Sequence, residues 1–382
     1  MALLGALVSL NANAQQPLGS NNQIQTEVDK LREQFAVPAL WVGKFCDDGR
    51  VAIAASGVRK FGNETPVAPD DLVHIGSCTK AMTAALIAQL ITEKSLRFDS
   101  TLAEIFPEVV GLSESAWAQV TVNELLQHCS GAPANANWTA IDRAYANDPR
   151  AARQATLEWL IKTKRPKKRS FTYSNVGYVL LGHIVEQIDG RPWEQAIVER
   201  LFKPLKIESA GFGPVGELKQ PAAATVDFPF GHTVQMNFNA ILTEVFGSKK
   251  KLSFQPTQID NPPVMNPAGR VHIKIDEWSR FVLLFASKVP APQIGISPEV
   301  WTQLLKPEFG GLYAGGWVID KPSWTSGEVL WHNGSNTTWY ALAYALPEKG
   351  CCIIAVSNAY CSQAEQACTQ AVEAISKIEL RD

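Results

Sequence analysis

The stretch HIGSCTKAMTAALIAQL, residues 74–90, decides how this chain is read. Its second half is apolar almost all round: Met82, Ala84, Ala85, Leu86, Ile87, Leu90 and the following Ile91 cover every side of a helix. A helix without a polar face belongs between layers, not on a surface. At its start Ser77 stands three residues before Lys80, and positions i and i+3 share a helical face. The lysine amine can therefore approach the serine hydroxyl. A desolvated lysine loses its preference for the charged form and becomes a base able to activate that hydroxyl. The first turn also leaves backbone N–H groups, that of Ser77 among them, to face a developing oxyanion. Serine is equally a common N-cap, so this spacing alone leaves both readings open.

Upstream, Ile24, Val28, Leu31 and Phe35 recur at helical spacing before Pro38. ALWVGKF (39–45) and RVAIAASGVRKFG (50–62) then flank Asp-Asp-Gly, a strong hairpin signal. From Ser77 to about residue 205 the chain reads mainly helical, with a capping box at Thr121-x-x-Glu124 and apolar helical patterns at Leu157–Ile161 and Val176–Ile188. Residues 206–265 are rich in Gly, Pro and Asn and read as long loops or an elaboration around a cleft. Strand patterns return at 315–320, 328–334, 338–346 and 351–357, and a closing helix follows over 362–378. The expected fold is an α/β sandwich with a central antiparallel sheet flanked by helices, plus an inserted, mainly helical domain. The α/β domain would take residues 22–90 and 206–382, and the helical domain 91–205.

Of the 382 residues, 46% are apolar and 19% charged, an ordinary globular balance that argues against disorder. A formal net charge of −2 gives no case for a nucleic-acid binder. The opening MALLGALVSLNANAQQ carries an apolar run and Ala-Asn-Ala at 12–14, so residues 1–14 read as a possible signal peptide without a basic n-region. That reading implies export to a periplasmic or extracellular space and leaves a cytoplasmic location open. No other run is long and apolar enough for a membrane span. The seven cysteines form no zinc-like pairs; Cys351-Cys352 lies in an apolar run and reads as small buried hydrophobes, while Cys361 and Cys368 can pair elsewhere.

Two further segments carry chemistry. In RSFTYSNVGYVLLGHIVEQ (169–187), Tyr173 and Asn175 precede an apolar helical run, where alternate residues can both point into one cleft. A tyrosine can relay a proton, and an asparagine can accept from an ammonium while donating to a carbonyl. In LWHNGSNTTWY (330–340), His332, Asn333 and Gly334 lie on a strand and Ser335 follows. A glycine there permits close approach of a ligand or another backbone, and the Ser335 N–H can serve as a second oxyanion donor.

In their order, Ser77-Cys-Thr-Lys80, Tyr173-Ser-Asn175 and His332-Asn-Gly334 resemble the motifs of the serine beta-lactamase and penicillin-binding-protein superfamily. The resemblance is closest to the branch holding class C beta-lactamases, D,D-carboxypeptidases, D-aminopeptidases and related esterases. LLQHCSG at 125–131 is similar to that family's Leu-Leu-x-His-Thr-Ser-Gly phrase, and Gly316-Trp317 stands where relatives place a similar pair. The resemblance implies Ser77 as acylated nucleophile, Lys80 as its base and Tyr173 in proton transfer. It implies Asn175 as a partner of Lys80 and substrate, and the Ser77 and Ser335 amides as an oxyanion hole beside Gly334. It implies no metal or organic cofactor, and a small ester, amide or peptidoglycan-like substrate. Class C beta-lactamases usually carry Lys-Thr-Gly where His332 stands, so a weaker, pH-sensitive positive charge is expected there.

The basic run KTKRPKKR (162–169) would add positive potential at the cleft rim or remain a solvated loop, and Trp339 or Tyr340 would wall the cleft or serve the core. A serine hydrolase of esterase or D-peptidase type is the leading expectation. A class C-like beta-lactamase and a non-catalytic binding protein are the alternatives, and the oligomeric state is not legible.

Overall fold

A computed structural model describes residues 18–145, 148–166, 170–216, 228–235, 252–287 and 292–380. Helix α1 (Leu18–Phe35) leads into β1 (Ala39–Cys46) and β2 (Val51–Gly57), the hairpin signalled by Asp-Asp-Gly. Late in the chain come β8 (Tyr313–Ala314), β9 (Trp317–Asp320), β10 (Val329–Ser335), β11 (Tyr340–Leu346) and β12 (Cys351–Ser357). These seven strands make one antiparallel sheet in the order β2-β1-β12-β11-β10-β9-β8. The two ends of the chain therefore meet side by side at β1 and β12.

Strand alternation divides the sheet between two cores. On one face, Leu40, Val42, Leu342, Ile353 and Ala355 pack with Ile24, Val28 and Leu31 of α1 and with Ala364, Ala371 and Ile375 of the closing helix, Ser362–Ser376. On the other, Trp41, Phe45, Ala341, Ala343, Ile354 and Val356 face α2 (Thr79–Thr92) and a helix at Ile275–Ala286. Every residue of α2 from Thr79 to Leu90 is buried, as its unbroken apolar surface requires. Beyond α2 the chain is helical through Val122–Leu126, Pro149–Leu160 and α3 (Asn175–Asp189). The Thr121–Glu124 capping box forms in both directions.

A small sheet completes the frame: β3 (Leu72–His74) pairs with β7 (Val271–Lys274), which pairs with β4 (Gly211–Phe212). β5 (Gly231–Val234) and β6 (Phe254–Thr257) form a ribbon within the stretch read as loops. The possible signal peptide lies outside the described residues, as do residues 217–227 and 236–251. Among the described residues no helix is long and apolar enough to cross a membrane.

One expectation is corrected here, and one open alternative is decided. Cys351 is not merely a small buried hydrophobe: it forms a disulfide with Cys46, its direct partner across the β1–β12 ladder and 305 residues away in sequence. The pairing follows from strand order, which local patterning cannot show. Trp339 and Tyr340 do not wall the cleft. Trp339 is buried against Trp41 in one core, while Tyr340 is buried in the core on the opposite face.

Candidate active site

Ser77 sits in a 3-10 turn, Gly76–Cys78, that joins β3 to α2, so it stands just ahead of the α-helix proper. The turn starts at Gly76 with φ +50°, a conformation that favours glycine. It leaves Ser77 partly exposed while both neighbours are buried. One turn on, Lys80 is fully buried and its Nζ donates to Ser77 Oγ at 3.0 Å, to Asn175 Oδ1 at 2.8 Å and to the Ala268 carbonyl at 2.6 Å. Burial lowers its pKa from 10.5 to about 7, with Cys78 acting weakly in the other direction. The amine is thus poised near neutrality beside the hydroxyl of a partly exposed serine.

Asn175 opens α3, but Ser174 caps the helix: its Oγ accepts from the Gly177 N–H at 2.9 Å and donates to the Pro133 carbonyl at 2.6 Å. The Asn175 side chain is thereby released to Lys80, and its amide nitrogen donates to Asn135 Oδ1 at 2.9 Å. Asn135 was not among the residues singled out from sequence. Tyr173 lies under the Lys80 amine, 4.8 Å from Nζ to its ring centre, a cation–π distance when the amine is charged. Burial pushes the Tyr173 phenol well up, only partly offset by its hydrogen bond with Ser77, so it is protonated at neutral pH.

β10 supplies the opposite wall. A Cβ on Gly334 would lie 2.0 Å from the Ile75 carbonyl and 2.7 Å from the Ser77 nitrogen, and one on Gly76 would lie 2.4 Å from the Ser335 nitrogen. Only two glycines allow these backbones to touch, and the contact sets the Ser335 backbone against the turn that carries Ser77. Gly334→Ala is therefore expected to force the strand off the turn. Roughly 1–3 kcal/mol should be lost from stability as overpacking is relieved, which thermal melts of the variant check.

His332 corrects an expectation. It lies on the inner face of β10, buried, and its Nε2 bonds to the Tyr313 hydroxyl at 3.0 Å while Nδ1 meets the Asn333 carbonyl. Burial, reinforced by the nearby Lys80, lowers its pKa to about 3. It is a neutral imidazole at neutral pH, not a weak cation. Tyr313, which the sequence reading missed, also edges Tyr173 and His128. His128, from the LLQHCSG phrase, is buried beneath Tyr173 with its ring centre 4.4 Å away, and its Nδ1 accepts from the Ser174 N–H. Burial first, then Lys80 and His332, hold its pKa well below the usual value. Phe171, half exposed, stands against His128 and Tyr313 and gives this side an apolar rim.

Only part of the basic run lies within the described residues. Arg165 is tied to Glu124 and to the Ser130 carbonyl and stacks near Trp117, while Lys167, Lys168 and Arg169 lie outside the described residues. Among the described residues no group of three His, Cys, Asp or Glu side chains is arranged to hold a metal ion.

Comparison with known proteins places this geometry in a family. The beta-lactamase family model, described as "Beta-lactamase", matches residues 33–375. Penicillin-binding protein 4 of Amycolatopsis lactamdurans is 31% identical over 186 residues, 49% of this chain and 48% of the relative. The D-alanyl-D-alanine-carboxypeptidase/endopeptidase AmpH of Escherichia coli (strain K12) is 22% identical over 216 residues, 56% of each. The chain thus spans about half the length of these curated relatives. Among solved structures, D-amino acid amidase from Ochrobactrum anthropi SV3, complexed with L-phenylalanine, superposes with a TM-score of 0.71 at 19% identity, covering 94% of this chain and 97% of that one. A class C beta-lactamase from Rhodobacter sphaeroides gives 0.68 at 19% identity, covering 92% and 98%. At such identities these likenesses show the fold.

Proposed function

The chain belongs to the beta-lactamase family, and from that premise we propose that it is a serine hydrolase that forms an acyl-enzyme on Ser77 from an ester or amide, as an esterase or D-peptidase would. The observation that carries this reading is Lys80: fully buried, its pKa lowered by that burial to about 7, and 3.0 Å from the hydroxyl of a partly exposed serine. A structural lysine would gain nothing from such a position, whereas a base requires it.

In the proposed sequence, neutral Lys80 takes the Ser77 proton as Oγ bonds to the substrate carbonyl carbon. The oxyanion is held by the Ser77 and Ser335 amides, and Asn175 orients both the lysine and the bound carbonyl group. As the tetrahedral intermediate collapses, the bond to the leaving oxygen or nitrogen breaks. Tyr173, a protonated phenol, gives that atom its proton and recovers one from the Lys80 ammonium. Water then attacks the acyl carbon, surrendering its proton to the same pair, and Ser77 regains its hydrogen. Every step uses side chains and amides of this chain.

The neutral His332 and the apolar Phe171 favour acyl groups without a carboxylate at that side of the cleft. This ranks simple esters and D-aminoacyl amides above beta-lactams, whose ring carboxylate would find no cation at His332. Export is part of the reading and is supported by the Cys46–Cys351 disulfide, which suits an oxidising compartment. The division into an α/β domain (22–90 and 206–382) and a helical domain (91–205) is likewise proposed, with the cleft between them.

A panel of p-nitrophenyl esters, D-aminoacyl amides, peptidoglycan fragments and a chromogenic cephalosporin tests the ranking. Turnover of esters or D-amides at least about tenfold above the cephalosporin is expected. Turnover confined to the cephalosporin would make the chain a beta-lactamase, and stoichiometric binding without turnover would make it a binding protein.

A further inference from the structure

Behind the turn that carries Ser77 lies a buried carboxylate that no step above uses. Asp260 follows β6, and its side chain is 2% exposed. Its Oδ2 accepts from His74 Nε2 at 3.2 Å and from Arg270 Nε at 3.2 Å. Its Oδ1 accepts from Asn336 Nδ2 at 3.0 Å and from the Asn261 N–H at 2.8 Å. Burial alone would raise this carboxyl, but the surrounding donors outweigh it and hold its pKa below the ordinary range, so it is ionised.

Both His74 and Asn336 lead on to the oxyanion-forming backbone. His74 is fully buried at the end of β3, and its Nδ1 accepts from the Gly76 N–H at 3.1 Å. That bond requires the proton on Nε2, where it points at Asp260, so the carboxylate fixes the tautomer. Gly76 is the residue before Ser77. Asn336 is the residue after Ser335, and its Oδ1 gathers the Thr338 N–H at 3.2 Å, the Thr338 hydroxyl at 2.9 Å and the Trp339 N–H at 3.0 Å. These bonds hold a tight turn in which Thr337 adopts φ +75°. One carboxylate thus reaches, through one side chain each way, the backbone on either side of the contact between Ser335 and Gly76.

We propose that Asp260 is a positioning residue that sets the separation of the two oxyanion-hole amides, acting through His74 on the Ser77 turn and through Asn336 on the Ser335 turn. The inference rests on the hydrolase reading above. Neither relay touches Lys80, Tyr173 or the acyl group, so loss of Asp260 should weaken stabilisation of the tetrahedral species and leave ground-state binding alone. Asp260→Asn keeps the size of the side chain but turns an NH₂ towards two of the four facing donors in either orientation.

The probes are p-nitrophenyl acetate for turnover and phenylboronic acid, which adds to a serine Oγ as a tetrahedral adduct, for affinity. Asp260→Asn is expected to lower kcat by roughly 10–100-fold, to change KM less than about threefold, and to weaken boronate inhibition by a factor similar to that in kcat. His74→Asn supplies a second reading. Its Oδ1 can still accept from the Gly76 N–H but is too short to meet Asp260, so it should show the same signature with a smaller loss and should not add to Asp260→Asn. A variant that melts lower yet retains parental kcat and boronate affinity would overturn the proposal. If Asp260→Asn does not fold, parental values in His74→Asn would do so alone. Parental protein inert to both probes would instead remove the hydrolase reading, and the positioning role with it.

Discussion

Ester hydrolysis by the Ser77→Ala chain is expected to fall by at least about 10⁴-fold in kcat, with folding unchanged. The side chain is partly exposed and sits in a 3-10 turn, so removing Oγ leaves only a small solvent-facing gap. It also removes one of three acceptors around Lys80, while Asn175 and the Ala268 carbonyl keep the amine in place. The loss should therefore appear in chemistry and not in melting temperature. Retention of more than about a tenth of the parental rate would mean that another group performs the attack.

Substituting Lys80 by methionine is expected to cost about 10²–10⁴ in kcat, the range for loss of a general base. Methionine is chosen because the site is closed and a shorter residue would leave a cavity. In the parental protein kcat/KM should climb with pH and level off above a midpoint near 7, because only the neutral amine accepts the Ser77 proton. His332→Gln should leave that midpoint in place, since the imidazole it replaces is already neutral, its pKa lowered to about 3. A midpoint that moved with His332 would transfer the titration to the histidine.

The same lysine has a consequence for stability. Its pKa is lower folded, about 7, than unfolded, 10.5, so between those values the unfolded chain holds the extra proton. Stability contributed by this group therefore rises with pH across that window and is at its least below about pH 7. The full difference is on the order of 5 kcal/mol if it is not relieved by water or local relaxation. Lys80→Met should flatten this part of the pH dependence, which melts taken between pH 7 and 10 would show.

Much of this site was legible because its parts are local. Ser77 and Lys80 meet through i, i+3 spacing, and Tyr173 and Asn175 stand at one helix start. That spacing alone left a cap and a base both open, and the family resemblance supplied the roles. The sheet was legible from period-2 runs and the Asp-Asp-Gly turn, and the all-apolar surface of α2 announced its burial. What joined the pieces was not local. The carbonyl of Ala268 has no side-chain signature, yet it fixes Lys80. The charge of His332 depends on burial and on Tyr313, which only the β8–β9–β10 arrangement brings to it. The close approach that seats this segment, where a Cβ on Gly316 would lie 2.4 Å from Ala81 Cα, shows only in the fold. Cys46 and Cys351 are separated by nearly the whole chain, and only strand order reveals their bond. Asp260 lies in a stretch of weak periodicity where nothing in the sequence distinguishes it from a surface loop residue.

The most direct test of the acyl-enzyme is mass spectrometry of the protein quenched in acid during turnover of a slowly deacylated p-nitrophenyl ester. One acyl group per chain is expected, on the peptide containing Ser77, accumulating more slowly in Lys80→Met and absent from Ser77→Ala. An acyl group found elsewhere, or equal labelling of Ser77→Ala, would contradict the account.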